Sequence, residues 1–126
     1  MENLLSRFLR YVAVDTQSDE RESSCPSTTG QLALAHQLAE ELLGLGLQQV
    51  TLDNNGYLTA LLPATTTAPT PAIGWIAHMD TAPDFSGCGV KPQIIADYQG
   101  GVIALGDSGA VLDPADRVGE AATTMR

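Results

Sequence analysis

The six residues Ala72-Ile73-Gly74-Trp75-Ile76-Ala77 constrain this chain more than any other stretch. They are apolar without interruption, and they follow a connection, Pro63 to Pro71, built from Thr, Ala and Pro. Alternate residues of a strand point to opposite faces, so a run with no polar member needs cover on both sides. Ala72–Ala77 therefore predicts a buried strand. Gly74 within it suits the close approach of another backbone.

Two amphipathic helices precede that run. Leu4, Leu5, Phe8, Leu9 and Val12 recur at three- and four-residue steps, with Glu2 or Asn3 at the start. Leu32, Ala35, Leu38, Ala39 and Leu42 form a second stripe. Thr28 and Gln31 ahead of it have the spacing of a capping box, and Gly44 and Gly46 supply its stop. Between the helices, Asp15 to Ser27 is polar and rich in Ser, and reads as a loop. After the second helix the period changes to two. Val50 and Leu52, then Tyr57 and Thr59, flank Asn54-Asn55-Gly56, whose Asn-Gly pair tolerates positive φ at both central turn positions. Helices, a hairpin and a doubly covered strand predict an α/β sandwich with a mixed sheet. Beyond Pro83, Gln93–Ile95 and Val102–Leu105 read as short strands joined by Tyr98-Gln99-Gly100-Gly101. From Asp113 to Arg126 large apolar residues are nearly lacking, which predicts a disordered tail.

One domain accommodates the 126 residues. Only 5% are aromatic, so a core must rest on Leu, Val, Ile and Ala. The net charge of −9 repels phosphate backbones and anionic lipid, which argues against nucleic acid and membrane surfaces as partners. Met1–Val14 is interrupted by Glu2, Arg7 and Arg10 and lacks the unbroken apolar run expected of a signal peptide. No stretch approaches the roughly 20 apolar residues of a membrane span. Cys25 and Cys88 lie far apart and form no CxxC, so neither a disulfide scaffold nor a structural zinc site is expected. A cytoplasmic protein with incidental thiols is the simplest expectation.

The chemistry concentrates in His78-Met79-Asp80, directly after the apolar run. Ligand sites of open α/β sheets lie at the carboxyl ends of strands. In extended backbone His78 and Asp80 share a side and face one cleft, while Met79 turns toward the core. A neutral imidazole is a good zinc ligand through one nitrogen, and a carboxylate commonly orients the other. Spacing leaves open whether Asp80 bonds His78 itself or a neighbouring group. It also leaves open an ordinary strand-end histidine bonded to a loop.

Several segments together resemble a known family. Ile76-Ala77-His78-Met79-Asp80-Thr81-Ala82-Pro83-Asp84 is similar to the first metal-ligand segment of zinc aminopeptidases of the peptidase T kind. Leu4 to Val12 with Asp15-Thr16-Gln17-Ser18 resembles that family's first helix and loop, and Pro26-Ser27-Thr28 before Gly30-Gln31 the start of its second helix. Pro92 to Ile95, Tyr98 to Gly101 and Ile103 to Gly106 resemble the stretch that follows. The resemblance covers about 1–114. It implies removal of the amino-terminal residue from tripeptides by a water held between two zinc ions. It also implies His78 as a ligand of one zinc and Asp80 as the catalytic aspartate beside it.

The family also uses a bridging aspartate, a glutamate base with an adjacent glutamate ligand, a further carboxylate and a second histidine, all later in its order. Glu40-Glu41 precedes the His78 segment and reads as a solvated helix face, and His36 as surface or packing. Residues 115–126 do not resemble the family's continuation, so the expectation is an amino-terminal fragment, inactive alone, ended by truncation or a shifted reading frame. A fragment of a sister dipeptidase or deacylase is a second expectation. A small non-enzymatic interaction or weak metal-binding protein is a third.

Overall fold

A computed structural model describes residues 3–115 of the chain. The described residues fall into two compact units that divide between Pro92 and Gln93. The first contains helices α1 (Leu4–Tyr11) and α2 (Thr29–Gly44) and strands β1 (Gln48–Leu52) and β2 (Leu58–Leu61). The second contains β3 (Ile103–Ala104) and β4 (Val111–Leu112), paired antiparallel.

Helix α1 begins where an asparagine can cap it. Asn3 is extended, and its side chain accepts from the Ser6 amide at 2.8 Å. Helix α2 begins at Thr28, but the expected capping box does not form. Thr28 makes no side-chain cap bond, because its hydroxyl donates to the Gln17 carbonyl at 2.9 Å. The Gln31 amide reaches Ser27 Oγ at 3.2 Å and the Thr16 carbonyl at 3.4 Å instead of its own N-cap. Both groups tie the helix to the preceding loop. At the other end Gly46 takes φ +84° and its amide bonds the Leu43 carbonyl at 3.0 Å, while Leu47 N bonds the Leu42 carbonyl at 3.1 Å. That is the paired Schellman closure, which needs the left-handed residue glycine supplies.

The hairpin is where the change of period places it. β1 and β2 pair antiparallel, with a bulge between Gln48 and Thr51 that puts Gln49 at φ 50°. The turn differs from the expected one. Only Gly56 has positive φ, at 83°, and the Asp53 carboxylate organises the loop by accepting from the Asn55 and Tyr57 amides at 2.9 Å each. Helix α2 packs on this hairpin.

Ala72–Ala77 is the largest departure from expectation. It carries no helix, strand or turn, and all six residues are exposed. Ile73 is 77% exposed, Trp75 93% and Ile76 100%. The expected α/β class holds for the described residues, in which two helices accompany two separate two-stranded antiparallel sheets. A strand this apolar needs neighbours on both edges, and no described residue provides them. Gln93–Ile95 likewise forms no strand, whereas β3 falls inside Val102–Leu105. The tail expected at 115–126 lies outside the described residues after Ala115. The buried apolar core among the described residues is Leu34 and Ala35 on α2.

With so little core, polar contacts carry much of the assembly. Glu41 is 14% exposed and is not the solvated face expected of it. Its Oε2 accepts from Tyr11 Oη at 2.7 Å and Arg10 Nη2 at 3.0 Å. Arg7 Nε lies 2.9 Å from Oε1, near enough for an ion pair though not aligned as a hydrogen bond. Three α1 residues thus grip one α2 carboxylate. The Tyr11 hydrogen bond, with Arg10 and Arg7 behind it, outweighs desolvation and holds the Glu41 carboxyl below the ordinary value of 4.5. Burial, then the bond to Glu41, raises the Tyr11 phenol. A depressed carboxyl stabilises the fold above its unfolded value, and that contribution disappears as pH falls through the folded value. Docking of α1 on α2 is therefore expected to loosen on acidification below about 4.5. Glu41→Gln should cost roughly 1–2 kcal/mol at neutral pH and flatten this acid dependence. Urea melts of the two proteins at pH 7 and pH 4 measure both effects, and parallel pH profiles would refute the clamp.

Candidate functional site

His78 and Asp80 sit on a stretch whose downstream end is pinned. Gln17 and Thr81 form an isolated parallel bridge. The Thr81 amide donates to the Thr16 carbonyl at 3.2 Å, and the Thr81 carbonyl accepts from Ser18 N at 3.0 Å and Ser18 Oγ at 3.2 Å. Gln17 Nε2 donates to the Pro83 carbonyl at 2.8 Å. The loop after α1 thereby fixes the backbone just past Asp80. Thr16 is 3% exposed, the most buried polar residue of the described chain.

Two glycines seat that loop. A Cβ on Gly30, in the first turn of α2, would lie 1.7 Å from the Asp15 carbonyl oxygen. A Cβ on Gly87 would lie 2.6 Å from Asp15 Oδ1. Asp15 in turn accepts from the Gln17 amide at 3.2 Å. The role of these glycines escapes periodicity. The available signal was a glycine in a helical first turn, where its propensity is poor and a packing reason is required.

His78 Nδ1 and Asp80 Oδ1 are 3.0 Å apart. The structure thus resolves the choice that spacing leaves open: Asp80 contacts His78 itself. A carboxylate can only accept, so Nδ1 carries the proton and the lone pair of the neutral ring falls on Nε2. This is the arrangement in which an imidazole is presented to a metal through Nε2. The side chains are 83% and 45% exposed, and Met79 between them is half-buried.

A hollow of about 800 Å³ lies at the loop between α1 and α2 and is lined by Asp15, Gln17, Arg21, Thr28, Gly30 and Pro83 among others; His78 and Asp80 are not part of its lining. Its cation is engaged: Arg21 binds both Asp19 oxygens at 2.9–3.0 Å and draws that carboxyl down to about 2. Among the described residues no three His, Cys, Asp or Glu gather as a metal site. The donor set present fits one ligand position and its orienting carboxylate, fewer than the three protein ligands of a catalytic zinc. His36 and Glu40 are exposed on α2, and Cys25 and Cys88 are free and exposed.

No protein-family model matches the chain. Curated proteins do. Peptidase T of Vibrio cholerae is 58% identical over 114 residues, covering 90% of this chain and 28% of that protein. Peptidase T of Photobacterium profundum is 57% identical with the same coverage, and that of Geobacillus kaustophilus 51% identical over 116 residues. The chain is a peptidase T homologue. It spans about 28% of the length of these relatives. With 114 of 126 residues aligned, the excluded ends are too short to remove the pinned loop, the apolar run or His78-Met79-Asp80 from the peptidase T match. No described helix is long and apolar enough to cross a membrane.

Proposed function

We propose that this chain supplies the first metal-ligand segment of a cytoplasmic zinc aminopeptidase that releases the amino-terminal residue of small peptides, tripeptides in particular. The observation that carries the reading is the 3.0 Å His78–Asp80 contact inside a stretch shared with peptidase T. In this proposal His78 offers Nε2 to one of two zinc ions. Asp80 keeps the proton on Nδ1 and fixes the ring plane. The Thr81 bridge to the Asp15–Ser18 loop limits how far that pair can swing. Zinc bound there would supply an acidified water and a Lewis acid for the peptide carbonyl. The general base and the remaining ligands are not among the described residues.

Two outcomes follow for the 126-residue chain by itself. Zinc should bind weakly, because one imidazole and one carboxylate fall short of a catalytic set. Titration calorimetry that finds a stoichiometric, submicromolar site would favour a self-sufficient metal protein instead. The same chain should not hydrolyse a tripeptide with or without added zinc, since general-base help alone is worth roughly 10²–10⁴-fold. The proposal itself is tested by substituting this chain for the matching 28% of Vibrio cholerae peptidase T. That chimera should release amino-terminal residues from tripeptides, and an inactive but folded, zinc-loaded chimera would sink the assignment.

A further inference from the structure

The hairpin turn carries a reactive pair. An asparagine is chemically labile where the next amide nitrogen can reach its side-chain carbonyl carbon, and a following glycine leaves that approach unhindered. Asn55-Gly56 is such a pair. Asn55 is exposed, and both of its hydrogen bonds use the backbone: its amide donates to Asp53 Oδ1 at 2.9 Å, and its carbonyl accepts from the Cys25 thiol at 3.5 Å. Its carboxamide can therefore turn toward Gly56. The other asparagines are placed less well. Asn3 caps α1 with its side chain and precedes Leu4, while Asn54 precedes Asn55, whose amide Asp53 already holds.

We propose that Asn55 is a self-modification site, which deamidates through a cyclic imide with Gly56 and, as isoaspartate, unseats the hairpin turn from α2. The Gly56 nitrogen gives up its proton and bonds to Asn55 Cγ. The bond from Cγ to the side-chain nitrogen breaks, and ammonia leaves with that proton. Water then opens the ring. Attack at Cγ gives aspartate. Attack at the backbone carbonyl carbon gives isoaspartate, whose main chain runs through the former side chain and is one methylene longer. The fold restrains the first step, because the Gly56 amide donates to the Asp53 carbonyl at 3.1 Å and must let go before it attacks. Gly56 is buried, and a Cβ on it would stand 3.6 Å from Pro26 Cγ and 3.7 Å from Leu32 Cδ2, so the turn rests on Pro26 and α2 at contact distance. An added methylene beside Gly56 lifts that contact and draws the Asn55 carbonyl from Cys25. The new carboxylate also lies two residues from Asp53, in a chain of net charge −9. The inference depends on this turn and not on the metal or peptidase reading.

Peptide mapping by mass spectrometry tests it on the full 126-residue chain aged at mildly alkaline pH. Asn55 should convert at least about 10-fold faster than Asn54 or Asn3, with isoaspartate the main product. Urea releases the Gly56 amide and should speed conversion by about 2–10-fold, the net worth of one hydrogen bond. Freshly purified Asn55→Asp carries the charge without the added methylene. The Asp53 amide donates to the Tyr57 carbonyl and the Tyr57 amide to Asp53 Oδ1, so exchange at these two reports on the turn. In aged protein both should exchange at least about 10-fold faster than in Asn55→Asp. Earlier conversion at Asn54 or Asn3, equal rates with and without urea, or aged protein that exchanges like the parent or like Asn55→Asp would each overturn the inference.

Discussion

Gly30→Ala is expected to detach the Asp15–Ser18 loop from α2 and to unravel the first unit. The added Cβ would sit 1.7 Å from the Asp15 carbonyl oxygen and 2.9 Å from its carbon. Both are backbone atoms and cannot rotate aside. Relief requires the loop to lift away, which breaks the Thr28–Gln17 bond, the Gln31–Thr16 bond and the Gln17–Thr81 bridge together. Ordinary overpacking costs about 1–3 kcal/mol, and a clash between backbones at this distance lies at or beyond the upper end. With Leu34 and Ala35 as the buried apolar core, little else opposes opening. Circular dichroism in urea and exchange at the Ser18 and Thr81 amides would record it. Gly44→Ala is the matched control. Nothing lies within 4 Å of a Cβ there, so a helical alanine should be neutral or gain about 0.5–1 kcal/mol. A Gly30→Ala protein that melts with the parent would show that the loop is not seated as described. Gly87→Ala should be milder, because its 2.6 Å neighbour is a side-chain oxygen that can turn away.

What the sequence discloses here follows the range over which each interaction acts. Asn3, Gly46 and Gly56 decide helix and hairpin ends through bonds that close within five residues, and all three are legible without knowledge of the fold. Thr28 and Gln31 have the right spacing for a capping box, yet their bonds go to a loop that approaches from elsewhere. Glu41 looks like a solvated helix residue because its partners, Tyr11 and Arg10, are 30 and 31 residues away. The Ser18–Thr81 contact spans 63 residues and leaves no periodic trace. Ala72–Ala77 is the reverse case. Its composition describes a buried environment, and the described chain does not contain that environment. His78 and Asp80 were visible as a pair from their spacing, and their direct contact needed coordinates. β4 at Val111–Leu112 was missed because two residues make no pattern.

Within the chimera, Asp80→Asn is expected to lower zinc affinity and tripeptide turnover by about 10–100-fold, the usual effect of removing the carboxylate behind a ligating imidazole. The cause is electrostatic as well as geometric. Asp80 accepts from Nδ1 at 3.0 Å, which keeps that nitrogen protonated and makes Nε2 a stronger donor. An asparagine carbonyl can still accept, but without the negative charge. Turned over, its amide would donate to Nδ1 and place the ring proton on Nε2, where a metal must bind. His78→Ala removes the proposed ligand itself, and turnover should fall by more than about 10³-fold, with one equivalent of zinc lost. Glu40→Gln, on the exposed face of α2, should change neither quantity. Chelator competition measures the affinity, and release of the amino-terminal residue measures the turnover. The ordering is the discriminating result. A merely structural pair would make Asp80→Asn and His78→Ala lose thermal stability together with zinc still bound. Ligation through Nε2 requires both to lose zinc, His78→Ala the more completely, with the urea melt of the metal-free protein unchanged because both side chains stand at the surface.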